Sequence, residues 1–199
     1  MPVRDRQATS ARILDAARKV LAEEGFQKLG IELVARRAGC DKQLIYRYFG
    51  GMDGLIDAIA ADIADWAREN ISPDGSAFLL TYGDLIERLV VQFMEALRDD
   101  KLMQKIVAWE LAEDSPRVRR FSESRSRALK QWIDQARGGL QPPKASDAGL
   151  LNALLLAAAQ TIVLSAANCG EFAGASISRE RDWQRMTAAM RKLVRGVYP

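Results

Sequence analysis

Residues 42–48 read KQLIYRY, and Lys42, Gln43, Tyr46 and Arg47 share one face if the segment is helical. These are side chains of the kind that hydrogen-bond to DNA, and those at a helix N-terminus meet base edges when the helix enters a major groove. Such a face needs a helix whose other side is anchored. Asp41 stands where it can cap the N-terminus, Leu44, Ile45 and Phe49 are expected mostly to pack back, and Gly50-Gly51 break the segment. Just upstream, IELVARRAG has Ile31, Val34, Ala35 and Ala38 inward. Ala35 is small enough for two helices to approach, Gly39 can adopt the left-handed backbone that ends a helix, and Cys40 suits a buried turn. Two short helices joined this way form the helix-turn-helix pattern. The competing reading of Lys42, Gln43 and Arg47 is a solvated helix face.

Composition removes several other chemistries. The 199 residues include no histidine, so His-dependent acid–base catalysis and Ser–His nucleophiles are absent. Two cysteines, Cys40 and Cys169, cannot build a cysteine-rich zinc site from one chain and fit a reducing compartment. No metal or cofactor is expected. The net charge is +3, but residues 1–50 hold ten basic and six acidic side chains, so the rest of the chain sums to −1. The positive charge sits where a nucleic-acid surface would need it. The polar N-terminus, MPVRDRQATSAR, has no apolar signal core, and the chain reads as cytoplasmic.

Helical periodicity dominates throughout, so the expected fold class is all-α. The first helix carries Ile13, Leu14, Ala17, Val20 and Leu21, with Thr9 or Ser10 as its cap and Gly25 at its end. Two short helices follow, then about six longer ones, with a loop expected over residues 72–78. Leu102, Met103, Ile106, Val107, Trp109 and Leu111 mark one apolar helix, and Ser115-Pro116 opens the next. The last helix, from about Arg179, is expected to carry Trp183, Met186, Met190, Leu193, Val194 and Val197 on one face. From Ala148 to Gly170 there is no charge, a length that could span a bilayer. Asn152, Gln160, Thr161, Ser165 and Asn168 interrupt it, so the expectation is a helix buried on several sides, in a core and a subunit interface together.

ILDAARKVLAEEGF, IELVARRAG, LIYRYF and GLIDAI together resemble the TetR family of bacterial transcription regulators. The likeness is close over about sixty residues and architectural over the remainder. It implies a three-helix helix-turn-helix head over residues 1–54 and a roughly six-helix ligand-binding and dimerisation body over residues 55–199. It also assigns roles. Lys42 and Gln43 contact bases, Leu44 can touch a thymine methyl, Tyr46 binds a phosphate, and Arg47 reaches a guanine or a phosphate. Tyr48 lies near the DNA backbone, and Arg36 and Arg37 lie close to the phosphates. Packing alone is the alternative for the tyrosines, and ordinary surface charge for Arg36-Arg37. Gly30 stands where the family usually has Ser or Thr, and Met52 where it usually has lysine. Arg4, Arg6 and Arg12 are the candidates to replace those phosphate contacts.

In the body, the resemblance implies a cavity for a small-molecule effector. Trp66, Phe93, Trp109, Glu110, Gln160 and Asn168 are its candidate lining, against the alternative that they fill a core. Glu110 either faces that cavity or pairs with an arginine such as Arg125. The last two helices show more apolar surface than one chain can cover, so a homodimer through them is expected, without a membrane. The expected function is a regulator, acting as a repressor, that an effector releases from a palindromic double-stranded operator. The rivals are a DNA-binding dimer with no effector, and a helical enzyme using Glu110 or Glu113.

Overall fold

The computed structural model describes residues 3–71, 81–144 and 147–198, the first three by backbone alone. The loop expected at 72–78 and the Arg4 side chain lie outside the described residues. Within them the chain is all-α, with helices α1 (Val3–Lys28), α2 (Ile31–Ala38), α3 (Lys42–Phe49), α4 (Met52–Asn70), α5 (Tyr82–Asp99), α6 (Lys101–Ala112), α7 (Pro116–Arg137), α8 (Ala148–Asn168) and α9 (Glu180–Val197). Three short head helices and six longer ones were expected, but the first is long. It starts at Val3, so Thr9 and Ser10 lie inside it rather than capping it. A two-residue hairpin, β1 (Glu171–Phe172) with β2 (Ala175–Ser176), joins α8 to α9 and had no sequence signal.

Packing divides the chain into two compact units, one of residues 1–66 with 105–131 and one of residues 67–104 with 132–199. The expected head, 1–54, lies wholly inside the first. That unit is built around Ile13, Leu21, Phe26, Leu29, Ile45, Leu55, Ile56, Ile59 and Phe121, all essentially inaccessible to solvent. Phe26 meets Phe121 edge to face at 5.0 Å. In α6 the buried stripe of Met103, Ile106 and Val107 continues through Glu110. The Glu110 carboxylate accepts hydrogen bonds from Arg125 and Ser122, and the adjacent Leu111 is exposed.

In the second unit α5 packs on α8 and α9. Thr81 caps α5 through a reciprocal bond with Asp84. Asp147 caps α8, and Arg179 precedes α9, where the last helix is expected to begin. The buried side of α9 is Trp183, Thr187, Met190 and Val194, which turns Leu193 to solvent. Asn152 donates to the Tyr82 hydroxyl at 2.7 Å and accepts from Tyr198 at 2.8 Å. Helix α8 is long and apolar enough to cross a membrane by length and composition, yet it also packs against α5 and α9. Leu150 and Leu154, on its far side, are 65% and 67% exposed.

Glu87 on α5 is buried and accepts from Arg191 at 2.9 Å and Arg195 at 2.6 Å. Burial opposes its ionisation, but the two guanidiniums outweigh burial and hold the carboxyl below the usual range. A carboxyl depressed in the folded state stabilises above its unfolded pKa, and that contribution is lost as pH falls through the folded value. Glu87→Gln is therefore expected to lower the unfolding free energy at neutral pH by about 1–3 kcal/mol. It should also lose less stability than wild type below about pH 4. Thermal unfolding at neutral and acid pH measures both effects.

Candidate nucleic-acid interface

Eight-residue helices such as α2 and α3 do not persist alone, so their geometry is set by caps and anchors. Gly39 ends α2 at φ 61°, ψ 43°. Its N–H bonds Arg36 O at 3.3 Å while Cys40 N–H bonds Ala35 O at 3.0 Å, the paired bonds of a Schellman ending. Asp41 accepts from Gln43 N–H at 2.7 Å and starts α3. Cys40 is half-buried and burial pushes its thiol pKa up, as befits a turn residue rather than a reactive thiol. Gly30 precedes α2 without any side-chain cap.

On α3, Ile45 is fully buried and is the anchor. Lys42, Gln43, Tyr46 and Arg47 are exposed, with Tyr46 at 56%. Leu44, Tyr48 and Phe49 are half-buried. The expected polar face of Lys42, Gln43, Tyr46 and Arg47 is thus brought together on one side of one helix. Lys42 meets Glu32 of α2 at 3.2 Å. Arg37 meets Glu23 at 2.6 Å, whereas Arg36 is exposed. Arg47 donates to the Tyr48 hydroxyl at 3.1 Å and lies 5.0 Å above its ring. Arg6 of α1 approaches the same ring at 5.7 Å.

The head is held by residues that sequence reading did not single out for the task. At Gly25 (φ 79°, ψ 177°) helix α1 breaks, freeing backbone groups that need partners. Glu113 accepts from the N–H groups of Phe26 and Gln27 at 2.9 and 3.1 Å. Arg117 reaches the carbonyl oxygens of Phe26, Gln27 and Leu29 at 3.1, 3.0 and 2.9 Å. Trp109 donates to Ala22 O at 3.2 Å. Helix α4 is fastened by Arg120, which grips both oxygens of Asp57, and by Arg18 with Asp62 at 3.1 Å. Burial works against the Asp57 charge, but bonds from Arg120 and Ser124 hold its carboxyl below the usual range. Partners more than sixty residues apart carry no local signal, although Glu113 and Arg117 do flank the readable Ser115-Pro116 helix start.

The six candidate effector residues divide between the units. Trp66, Trp109 and Glu110 belong to the first, and Phe93, Gln160 and Asn168 to the second. Trp66 and Gln160 are buried, Phe93 and Trp109 half-buried, and Asn168 exposed. Glu110 bonds Arg125, the alternative the sequence left open. A cleft of about 320 Å³ in the second unit is lined by other residues, among them Tyr82, Leu140, Gln141 and Tyr198. Among the described residues no acidic or cysteine cluster could hold a metal.

Residues 13–59, which contain α2 and α3, match the family model described as bacterial regulatory proteins, tetR family. The HTH-type transcriptional repressor SCO4008 of Streptomyces coelicolor is 39% identical over 59 residues, 30% of this chain and 31% of that protein. The chain spans about half the length of the first curated relatives it matches, 52%. The solved fatty acid degradation regulator FadR of Bacillus halodurans superposes with a TM-score of 0.68 at 16% identity, covering 96% of this chain and 100% of that one. FadR of Bacillus subtilis, solved with stearoyl-CoA, gives 0.62 at 16% identity, covering 93% and 97%. At such identities the structures establish a shared fold.

A Cβ on Gly25 would land on the Glu113 carboxylate and the Trp109 ring, at a φ that side chains avoid. Gly25→Ala is expected to destabilise the chain by more than about 1 kcal/mol, read as a lower urea midpoint.

Proposed function

We infer that this chain, which belongs through its N-terminal segment to the TetR family of bacterial regulatory proteins, is a DNA-binding transcriptional repressor that an effector releases from its operator. The observation that carries the reading is α3 itself. It is capped by Asp41, pinned by Ile45, and turns Lys42, Gln43, Tyr46 and Arg47 outward inside the matched segment. Lys42 and Gln43 read base edges, with Leu44 near a thymine methyl. Tyr46, Arg47, Tyr48 and Arg36 hold the backbone.

A single two-turn helix reads too few bases for specificity, so the regulator acts as a homodimer. The exposed apolar face of α8, with Leu150 and Leu154, and Leu193 on α9 support pairing through these helices. Two recognition helices about 34–36 Å apart then require a near-palindromic site. Residues 1–54 form the head, and residues 55–199 the effector-binding and dimerisation body. Effector response is carried over from FadR with stearoyl-CoA, and the effector must bind the DNA-free state better by about 1–3 kcal/mol. An enzyme is disfavoured because the relatives are named as transcriptional regulators and because Glu110 and Glu113 are engaged in structural bonds. We place such a regulator in the cytoplasm.

Selecting duplexes from a random pool with the whole chain is expected to return a near-palindrome. On that operator Arg47→Ala and Tyr46→Phe should weaken binding with the dimer intact, while Lys42→Ala and Gln43→Ala should alter sequence preference, all read by mobility shift. Wild-type binding by all four variants overturns the assignment of α3. Leu154→Arg should convert the dimer to monomer in sedimentation without loss of helicity. An unchanged dimer places the interface elsewhere.

A further inference from the structure

Resting on the reading of α3 above, we propose that Glu32 is a specificity-determining residue of this chain, whose carboxylate accepts from the N4 amino group of a cytosine while Lys42 donates to the guanine paired with it. Glu32 is the second residue of α2 and is exposed. Its Oε1 lies 3.2 Å from Nζ of Lys42, the first residue of α3. That distance puts the carboxylate beside the end of α3 that meets base edges. Among the described acids of residues 1–50, Asp15, Glu23 and Glu24 pair with Lys19, Arg37 and Lys28, and Asp41 caps α3. Glu32 is the one among them whose partner is read as a base contact.

An ionised carboxylate only accepts hydrogen bonds. The phosphate backbone repels its charge, whereas lysine and arginine bind that backbone anywhere. In the major groove the donors are the N4 amino group of cytosine and the N6 amino group of adenine. Any hydrogen bond that Glu32 accepts there is therefore a reading of the base. Adenine sets its N7 acceptor beside the amino group, which repels a carboxylate, and cytosine does not. Across the pair, guanine presents O6 and N7, the acceptors that a lysine takes. In the free chain the ammonium and the carboxylate sit at hydrogen-bond distance, as O6 of guanine and N4 of cytosine do in a base pair. Over a C·G pair each group can therefore change partners with little movement. Over the other pairs, release of Lys42 leaves Glu32 unmatched among phosphates, and that cost falls on the wrong sequence. An acid in the first turn of α2 also favours that helix through its dipole. The dipole role acts alike on every duplex, so base preference separates the two.

The test selects duplexes from a random pool with the full chain, as wild type, Glu32→Ala and Glu32→Gln. Each protein is then titrated at fixed salt against the wild-type operator, its single-pair variants and a random-sequence duplex of equal length. The wild-type operator is expected to hold a C·G pair at the same place in both half-sites. Glu32→Ala should bind the random duplex more tightly and lose roughly 5- to 100-fold of discrimination at that pair alone, with the other positions selected as before. Glu32→Gln should gain A·T there relative to wild type, because an amide donates to N7 and accepts from N6 of adenine. Lys42→Ala should blunt preference at the same pair. An unaltered motif in both Glu32 variants, or a change in affinity equal for all duplexes, overturns the base contact and leaves the function standing. Failure of the wild-type chain to enrich any duplex removes the functional reading itself. Because Glu32 is exposed, circular dichroism should be unchanged in both variants.

Discussion

The interface depends on the stability of a two-turn helix that has almost no stability of its own. Isolated segments of eight residues lose more chain entropy than their few internal hydrogen bonds return. Helix α3 exists because Ile45 is sealed, because Asp41 and Gly39 satisfy the ends of the turn, and because α2, itself packed on α1, offers a fixed bed. That bed is itself fastened by charges reaching from α6 and α7. Glu113 takes the free N–H groups at the α1 break, Arg117 takes the free carbonyls, and Arg120 grips α4 through Asp57. A short reading helix can therefore be exposed on one side without being loose on the other.

The break in α1 shows how backbone needs can be met from far along the chain. A glycine at φ 79° interrupts the helical hydrogen-bond ladder, which would leave donors and acceptors unmatched. A carboxylate accepts and a guanidinium donates, so one acid and one base four residues apart at the α6–α7 corner satisfy opposite polarities of the same short stretch. This pair also gives Glu113 a structural part. Its oxygens are occupied by Phe26 and Gln27.

What was legible in the sequence follows from range. Periodicity, caps and breakers are local, so the helices, the Asp41 cap and the Ser115-Pro116 start could be read directly. Ile45 as anchor and the outward set of α3 follow from the same local geometry, supplied with a turn. The long-range partners Glu113 and Phe26, or Arg6 and Tyr48, could not be read, because nothing within a helical turn distinguishes them from surface charge. Two local readings failed for a related reason. Thr9 and Ser10 have capping chemistry but sit in a helix that continues past them, and Leu193 falls outside the buried side of α9, which Trp183, Thr187, Met190 and Val194 form.

Charge placement on the head also bears on selectivity. Glu32 is 84% exposed on α2 and holds Lys42 at the start of α3. Surface pairs of this kind contribute little to stability, about 0–1 kcal/mol, so holding the fold is not their main consequence. On the duplex proposed to seat against α3, Lys42 would exchange that carboxylate for a base or a phosphate. Where a matching base edge offers two hydrogen bonds the exchange is favourable, and where it does not, Lys42 keeps its partner. On the proposed reading, the exposed Glu32 carboxylate would oppose sequence-blind attachment to phosphates. The same logic applies to Arg37 with Glu23. A head in which Arg18, Lys19, Lys28, Arg37 and Lys42 each meet a carboxylate depends less on charge alone and more on fit, which fits a chain carrying a net charge of only +3.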